Sequence, residues 1–210
     1  MMTELRDRVL LVTGGATGLG AATAIEAARA GARVATSAVT EPDGAAIARQ
    51  TGAPFWSIDV GAAEDWPAGV AAVEAELGPI RFAHLNAGIM IRPLDVALSI
   101  PPLEDFAQGR YRDLMRVNID GVVLGLQALL PGMVRASGGA ITLTSSTGGL
   151  APLPFDPVYS LTKHALVGLV RSMGAAYASA PVRINAICPG GFTSGLFPPP
   201  PHLAVSLTPP

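Results

Sequence analysis

The sequence predicts an α/β protein in which a doubly wound parallel sheet lies between two layers of helices. Short, continuously apolar segments alternate with helix-like segments along most of the chain, and such segments are typical of parallel strands covered on both faces. The first strand runs directly into a glycine-rich turn and an alanine-rich helix. The chain has 210 residues, half of them apolar, so it can bury a full core and we expect a single domain.

The strands and helices can be placed along the chain in order. Strands are predicted at residues 8–13, 33–39, 54–60, 81–87, 140–145 and 182–188. Helices are predicted at residues 43–50, 64–77, 111–135 and 158–179, in addition to the helix that follows the glycine turn and ends at Gly31. Residues 1–195 are assigned to the domain, and the proline-rich residues 196–210 are predicted to form an extended or disordered tail.

The segment after the first strand is a candidate phosphate-binding turn. It reads GGATGLG from Gly14 to Gly20. Glycines let a phosphate approach the backbone closely, and the following helix directs its amide groups and its dipole toward an anion. The spacing is G-x-x-x-G-x-G, whereas many dinucleotide-binding proteins have G-x-G-x-x-G, so an ordinary glycine turn is the alternative interpretation.

A tyrosine and a lysine four residues apart form the candidate catalytic pair. Tyr159 and Lys163 fall on one face of the helix predicted from residue 158, and Ser146 lies at the end of the preceding strand. The ordinary pKa of a tyrosine is about 10, and a neighbouring ammonium group would stabilise the phenolate and lower that pKa. Lys163 is the only lysine in the chain. By itself such a pair is more often a solvated surface feature, so its interpretation depends on the rest of the sequence.

Other polar residues stand where ligands bind in this class of sheet. Thr13, Asp59, Asn86 and Ser146 all fall at the carboxyl ends of predicted strands. Asn118 lies inside an apolar helix, where its amide is costly unless it is hydrogen-bonded. It therefore marks either a local kink or a polar network.

The composition disfavours several other classes of function. The formal net charge is -2 and the basic residues are spread along the chain, so nucleic acid is not expected as a partner. The three histidines are scattered without metal-ligand spacing, and no metal site is predicted. Charged residues interrupt the amino-terminal segment, and the longest apolar run, residues 121–134, is shorter than the about 20 residues of a membrane span. We expect a cytoplasmic protein that does not associate with membranes.

With these residues assembled, the sequence resembles the short-chain dehydrogenase/reductase family over residues 5–195. The matching segments stand in the family's order and at its usual spacings: TGGATGLG (13–20), Asp59-Val60, Asn86-Ala87-Gly88, Asn118, Ser146, Tyr159-x-x-x-Lys163 and Pro189-Gly190. The resemblance implies a Rossmann-type α/β/α fold. It also implies an oxidoreductase that transfers a hydride between NAD or NADP and a small-molecule secondary alcohol or ketone.

The resemblance implies a role for each matching residue. Tyr159 would be the general acid or base, Lys163 would lower its pKa and bind the nicotinamide ribose, and Ser146 would hold the substrate oxygen. Asn118 would anchor a water that feeds the proton relay. Tyr159 and Lys163 would also contact the cofactor, and the other cofactor-binding positions would be Thr13, Gly14, Ala16, Thr17, Gly18, Leu19, Gly20, Ala38, Asp59, Val60, Asn86, Ala87, Gly88, Pro189, Gly190 and Thr193.

The end of the second strand does not distinguish NAD from NADP. An acidic residue there would accept a hydrogen bond from the ribose 2′-hydroxyl, and a basic residue would hold a 2′-phosphate, but residues 36–40 read TSAVT. Thr17 likewise lacks the positive charge that NADP-preferring relatives often carry in the glycine turn. The choice of cofactor therefore stays open.

The carboxyl-terminal part departs from the family pattern. Members usually continue through a substrate-covering segment, a further helix and a seventh strand, whereas this sequence ends in its proline-rich segment, so we expect the last helix and strand to be absent. An exposed sheet edge and apolar helix surface would favour a homodimer or homotetramer built on the helices that begin near Tyr111 and Val158. The departure leaves a second function open, that of a cofactor-binding but catalytically silent sensor or degenerate subunit.

Overall fold

Six parallel strands form one continuous sheet in the computed structural model, which describes residues 5–39, 41–90 and 103–191. The strand order is β3-β2-β1-β4-β5-β6, and every neighbouring pair is parallel. The strands are β1 (Val9–Thr13), β2 (Arg33–Ala38), β3 (Phe55–Ser57), β4 (Ile80–Leu85), β5 (Gly139–Thr144) and β6 (Val182–Ile187). This order confirms the predicted Rossmann-type fold. The order reverses between β1 and β4, where doubly wound folds form a ligand-binding crevice.

Helices cover both faces of this sheet. They are α1 (Gly18–Arg29), α2 (Glu41–Thr51), α3 (Asp65–Leu77), α4 (Gln108–Met115), α5 (Gly121–Arg135) and α6 (Pro157–Ala176). On one face, Ala24 of α1 and Ile47 of α2 pack against Leu10 and Val12 of β1. On the other face, α3, α5 and α6 pack against the sheet in a larger apolar cluster. All five residues of β1 are buried, as expected for a strand covered on both sides.

Trp66 holds the larger cluster against the loop that follows β3. Its side chain is only 1% exposed, and its indole N–H donates to the carbonyl oxygen of Val60 at 2.9 Å. A Cβ on Gly125 of α5 would lie 2.7 Å from the Trp66 ring, so the absence of a side chain there lets α3 and α5 approach closely. Because Val60 follows Asp59, this contact also positions a predicted cofactor-binding loop.

Two predicted elements differ from those observed. The third strand, predicted at residues 54–60, covers only residues 55–57. It pairs with β2 alone, and the chain then leaves the sheet because the backbone amide of Asp59 donates to Asp65 Oδ2 at 2.9 Å. The long helix, predicted at residues 111–135, begins at Gln108 and is interrupted by a π-helical turn at Arg116–Asp120.

The helix that runs from Gln108 to Arg135 is long and apolar enough to cross a membrane by length and composition. However, Leu126, Leu129 and Met133 are buried in the larger apolar cluster against the sheet. A core helix of a globular domain meets the same criteria, so this helix is weak evidence for a membrane span.

Several predictions concern residues outside the described ranges. The tail at residues 196–210, the domain boundary at residue 195 and the position of Thr193 all fall there. The expected absence of a last helix and strand concerns the same part of the chain. Within the described residues, the sheet ends at β6.

Candidate active site

The glycine turn lies at the carboxyl end of β1, beside the point where the strand order reverses. Gly14 and Gly18 have positive φ angles of 60° and 55°. A Cβ on Gly20 would lie 2.2 Å from the carbonyl oxygen of Gly14, and a Cβ on Gly14 would lie 2.9 Å from Cα of Ala87. Side chains therefore do not fit at Gly14 and Gly20. The bare backbone and the start of α1 at Gly18 provide the close approach and the helix terminus that a pyrophosphate requires.

Hydrogen bonds between the ends of β1 and β4 hold this turn in place. Thr13 Oγ1 accepts from the backbone amides of Asn86 and Ala87 at 3.0 and 3.1 Å. In return, Asn86 Nδ2 donates to the carbonyl oxygens of Thr13 and Gly14 at 3.2 and 3.3 Å. Four of the predicted cofactor-binding positions thus form one hydrogen-bonded unit.

Asp59 lies in the loop after β3 and pairs with an arginine that the sequence did not single out. Arg116 Nη1 donates to Asp59 Oδ1 at 2.9 Å and to Oδ2 at 2.7 Å, and the Gly61 amide donates to Oδ1 at 2.9 Å. Burial by itself would raise the pKa of Asp59, but the hydrogen bonds from Arg116 and Gly61 and the charge of Arg116 lower it below its usual value. The carboxylate is therefore ionised at neutral pH. Val60 is buried in the core, so only its backbone can border a cofactor.

Asn118 lies in the π-helical turn and is both a kink residue and a network residue. Its side chain is fully buried. Its Oδ1 accepts from the amide of Ile89 at 2.8 Å, and its Nδ2 donates to the carbonyl of Ile89 at 2.9 Å and to Thr162 Oγ1 at 3.2 Å. Both amide hydrogens are thus engaged, and one lone pair of Oδ1 is left. A Cβ on Gly88 would lie 3.3 Å from that oxygen and 3.4 Å from Lys163 Nζ.

Helix α6 carries the predicted catalytic pair. Asp156 caps its amino terminus by accepting from the Tyr159 amide at 2.9 Å, and Pro157 occupies the first turn, where no amide hydrogen is needed. Tyr159 and Lys163 are 6% and 3% exposed, and Lys163 Nζ lies 5.3 Å from the centroid of the Tyr159 ring. The two side chains therefore share one buried helix face, unlike a solvated surface pair.

The pKa of Tyr159 differs from the value expected from its neighbour Lys163. Burial raises the pKa of Tyr159, a hydrogen bond with the Ser146 side chain lowers it, and the charge of Asp156 raises it; the net pKa lies above the ordinary value. The Nζ atom of Lys163 donates at 2.9 Å to the carbonyl oxygen of Thr144, and burial is the largest of the effects on the phenol. Without a cofactor the phenol is therefore protonated at neutral pH.

The ammonium of Lys163 is itself perturbed. Burial lowers its pKa to about 8, and the nearby Cys188 acts weakly in the opposite direction. At neutral pH most molecules still carry the charge. The Lys163 Nζ atom donates to the carbonyl oxygen of Thr144 and has capacity for further acceptors, because an ammonium has three donors.

Ser146 lies at the end of β5, where a short 3₁₀ turn begins. Its Oγ accepts from the amide of Gly148 at 3.1 Å, which orients the hydroxyl beside Tyr159. The same turn is fixed to α6 because Ser160 Oγ donates to the Gly148 carbonyl at 2.6 Å. It is fixed to the segment after β6 because the Thr147 amide donates to the carbonyl of Pro189 at 2.9 Å. The predicted nicotinamide end, Pro189 and Gly190, therefore lies next to the Ser146 turn.

Apolar side chains surround the Tyr159 phenol. Leu114 and Val158 are buried with it, and partly buried hydrophobic residues pack against this cluster: Ile89, Met90, Phe106 and Leu153. This apolar surface lies beside the hydroxyl groups of Ser146 and Tyr159. Such a pocket suits an apolar organic molecule that carries one oxygen atom for these two hydroxyls to bind.

Most of the predicted site residues form two neighbouring groups, one around the glycine turn and one around Lys163. Ala38 lies apart from both groups, at the end of β2. The glycine turn with Ala16, Thr17 and Leu19 meets Asn86 and Ala87, and the Gly88 backbone lies beside Asn118 and Lys163. Ala38 ends β2, where Thr36 and Ser37 are fully buried and Val39 is 66% exposed. Thus the first accessible side chains at that end carry no charge.

Sequence reasoning missed two residues that shape this site. Asp156 could have been found, because an aspartate followed by proline before an amphipathic helix is a helix-capping signal. Arg116 had no such signal, because its partner Asp59 is 57 residues away in the chain. Only the folded arrangement brings the two together.

Comparison with known proteins finds relatives over most of the chain. The sequence profile described as short chain dehydrogenase matches residues 8–199. The chain is 33% identical over 204 residues to 2-(S)-hydroxypropyl-CoM dehydrogenase 3 from Xanthobacter autotrophicus, which covers 92% of this chain and 75% of that protein. It is 33% identical over 197 residues to levodione reductase from Leifsonia aquatica, which covers 90% of this chain and 70% of that protein.

Solved structures agree with these relatives. The crystal structure of levodione reductase matches with a TM-score of 0.82 at 31% identity, over 91% of this chain and 74% of that chain. A short chain dehydrogenase/reductase from Burkholderia phymatum in complex with NAD matches with a TM-score of 0.83 at 24% identity, over 92% and 69% of the two chains, and shows the fold alone. The profile and the identities lead to one conclusion: the chain belongs to the short-chain dehydrogenase/reductase family of oxidoreductases.

Proposed function

We propose that this protein interconverts a small-molecule secondary alcohol and the corresponding ketone with NAD or NADP, and that Tyr159 is its general acid and base. The observation that carries the proposal is the buried pair of Tyr159 and Lys163 on one face of α6, with the Ser146 hydroxyl hydrogen-bonded to the phenol. A phenol, an ammonium and a hydroxyl in one apolar pocket suit proton exchange with a single substrate oxygen.

The residues present fit a nicotinamide dinucleotide. The backbone of residues 14–20 and the start of α1 would hold the pyrophosphate, since the absence of side chains at Gly14 and Gly20 lets the turn close tightly and leaves its backbone bare. Asp59 would face the adenosine side, and Lys163 would bind the nicotinamide ribose with its remaining donors. When bound, the nicotinamide ring supplies or accepts the hydride at the substrate carbon.

The chain's own contribution is position and proton transfer. In the reducing direction the protonated Tyr159 hydroxyl gives its proton to the carbonyl oxygen, while Ser146 donates a hydrogen bond to the same oxygen. In the oxidising direction the phenolate takes the alcohol proton. The raised pKa of Tyr159 favours the proton-donating form at neutral pH.

A water next to Gly88 would connect this pair to Asn118. The free lone pair of Asn118 Oδ1 and the ammonium of Lys163 both lie within van der Waals reach of a Cβ built on Gly88. A water within hydrogen-bond distance of both groups would accept from Lys163 and donate to Asn118. Such a water would be one member of a relay that reprotonates Tyr159 after a reduction and removes the proton after an oxidation, with bulk solvent as the source and the acceptor of that proton.

The substitution Tyr159→Phe tests the proposal. Absorbance at the nicotinamide band is followed with a panel of secondary alcohols and ketones. We expect turnover to fall by about 10² to 10⁴, the typical contribution of general acid–base catalysis, with dinucleotide affinity retained. Tyr111→Phe is the matched control, because that tyrosine is 37% exposed on α4. Dinucleotide binding without turnover by the unsubstituted protein would instead support a catalytically silent sensor or subunit.

The choice between NAD and NADP stays open. Among the described residues at the end of β2, Ala38 and Val39 carry no charge, so neither a ribose hydroxyl nor a 2′-phosphate meets a dedicated partner there. Thermal stabilisation by the four oxidised and reduced cofactors measures the preference directly.

A cytoplasmic location is likewise a proposal, to be tested by cell fractionation.

We also propose that two copies of this chain associate through α5 and α6. An open apolar groove of about 440 Å³ lies between these helices, lined by Val123, Leu126, Gln127, Leu130, Pro131, Val134, Leu169, Met173 and Tyr177. Val134 is 42% exposed there, and a contiguous apolar surface of this kind favours association.

Light scattering of Val134→Glu at micromolar concentration tests this assembly. We expect a homodimer to give way to a monomer, or a homotetramer to give way to smaller assemblies, because the new carboxylate would lose its hydration at the contact. Val39→Glu is the control, since Val39 is exposed at the end of β2 and lies outside the groove. A monomer in the unsubstituted protein would refute the proposal.

A further inference from the structure

A buried histidine that the proposed reaction does not use lies next to the cofactor turn. His84 of β4 is 6% exposed, and its Nε2 atom lies 2.7 Å from Thr144 Oγ1 on the neighbouring strand β5. Burial lowers the pKa of His84 to about 4, so the ring is neutral at physiological pH. A neutral ring has one donor and one acceptor nitrogen, and its neighbours determine which is which.

The direction of the neighbouring hydrogen bonds follows from Asn86. Its Nδ2 lies 3.2 and 3.3 Å from two carbonyl oxygens, those of Thr13 and Gly14, which can only accept. Its Oδ1 therefore faces Thr144 Oγ1, at 3.1 Å. Because an amide oxygen cannot donate, the Thr144 hydroxyl must give its hydrogen to Asn86.

That assignment leaves the histidine one role. The single hydrogen of the Thr144 hydroxyl is already used, so the hydroxyl oxygen must accept from His84, and His84 must carry its proton on Nε2. The result is a one-directional chain of hydrogen bonds from His84 to Thr144, from Thr144 to Asn86, and from Asn86 to the first carbonyl groups of the glycine turn. Such buried networks are stiff when every member is satisfied.

Thr144 is also hydrogen-bonded to helix α6, which carries the proposed catalytic pair. Its backbone carbonyl accepts from Lys163 Nζ at 2.9 Å, while its hydroxyl serves Asn86. A change in the position of Thr144 would therefore reach both the turn under the pyrophosphate and the ammonium beside Tyr159. His84 donates to the Thr144 hydroxyl, which in turn donates to Asn86.

We propose that His84 is a positioning residue, which acts through Thr144 and Asn86 to set the glycine turn for dinucleotide binding. The part about binding rests on the proposed function. The hydrogen-bond chain itself is a property of the protein without cofactor, so the two parts can fail separately.

The proton position is tested first, on the cofactor-free protein. Nitrogen-15 NMR of the imidazole between pH 6 and pH 8 distinguishes the two neutral tautomers. We expect His84 as the Nε2–H tautomer in the unsubstituted protein, with its Nε2 resonance changed in Thr144→Val. An Nδ1–H tautomer would overturn the proposal, whatever the protein binds.

Variants then test the effect on the turn. His84→Leu removes the donor, whereas His84→Gln places an amide nitrogen near the position of Nε2. We expect a three- to tenfold weaker affinity for NADH or NADPH in His84→Leu by fluorescence titration, and a value within about twofold of the unsubstituted protein in His84→Gln. His164→Leu is the matched control, since His164 is exposed on α6. Melting temperatures establish that each variant is folded.

A double-mutant cycle separates positioning from packing. If His84 acts through Thr144, His84→Leu combined with Thr144→Val should bind no more weakly than Thr144→Val does. Additive losses, or equal losses in the Leu and Gln variants, would show a packing effect and overturn the proposal.

Amide hydrogen exchange of residues 14–16 provides a readout that needs no cofactor. We expect about tenfold faster exchange in His84→Leu and no change in His164→Leu. If the unsubstituted protein bound no dinucleotide, the proposed function would fail, and this exchange result together with the tautomer would still decide whether His84 positions the turn. Unchanged exchange in a folded His84→Leu variant would refute the positioning role.

Discussion

His84 should make the stability of this protein fall steeply in mild acid. The ordinary pKa of a histidine is 6.5, and burial lowers that of His84 to about 4 in the folded protein. The unfolded chain therefore binds a proton more readily than the folded chain between these two values. Folded-state stability is unaffected by this residue above pH 6.5, and it decreases as the pH falls from 6.5 toward 4.

The size of this effect follows from the two pKa values. Each pKa unit corresponds to about 1.4 kcal/mol, so the full difference destabilises the folded state by about 3 kcal/mol once the pH is below both values, and by about 2 kcal/mol at pH 5. The other buried titratable group joined to Thr144 is Lys163, whose pKa is lowered only to about 8. It stays protonated throughout this range and adds nothing to the slope.

Urea unfolding at intervals from pH 7.5 to pH 5 measures the effect in the unsubstituted protein and in His84→Gln. We expect the difference in unfolding free energy between the two proteins to change by about 2 kcal/mol across this range, in the direction that favours the variant in acid. Carboxyl groups elsewhere titrate equally in both proteins and cancel in the difference. Parallel curves for the two proteins would refute the reasoning, because they would mean that His84 titrates normally when folded.

Two further predictions concern the cofactor side. Gly20→Ala should weaken dinucleotide affinity about tenfold or more, because its Cβ would lie 2.2 Å from the Gly14 carbonyl oxygen. Gly174→Ala is the control and should leave the affinity unchanged, because that glycine faces open space on α6. Fluorescence titration compares the two variants, and equal affinities would contradict the proposed cradle. Arg116→Ala should lower dinucleotide affinity by up to about fivefold, since partly exposed ion pairs such as Arg116–Asp59 contribute about 0.2 to 1 kcal/mol. Arg112→Ala, on the adjoining helix α4, is the control. Isothermal titration calorimetry measures that difference, and an unchanged affinity in Arg116→Ala would show that Asp59 does not need its partner.

Much of the fold could be predicted because the pattern is local. The continuous apolar run of β1, the glycine turn and the alternation of strands with helices depend on residues close together in the chain, and the observed strand order confirms their interpretation. The short β3 could not be predicted. Beyond its end, the Asp59 backbone amide donates to Asp65, six residues along the chain, and not to a neighbouring strand.

The candidate site divides in the same way. Tyr159 and Lys163 share a helix face because they are four residues apart, and the structure brings both beside Ser146. The pKa of Tyr159 lies above its ordinary value in the structure, and the lowering of that pKa by Lys163 stays a prediction. Burial is the larger effect on the phenol, and burial depends on the apolar residues that α4 and the neighbouring loops pack around it.

The sequence by itself predicted the order of the strands and helices, the glycine turn and the Tyr159–Lys163 pair, because these depend on residue type and short spacing, and its family resemblance added Asn118 and Ser146 to the catalytic candidates. Only the tertiary structure decided the electrostatics. The Arg116–Asp59 pair joins residues far apart in the chain, and so does the hydrogen-bond chain from His84 to the glycine turn. Charge, burial and proton position depend on which groups meet in space, and only folding brings these groups together.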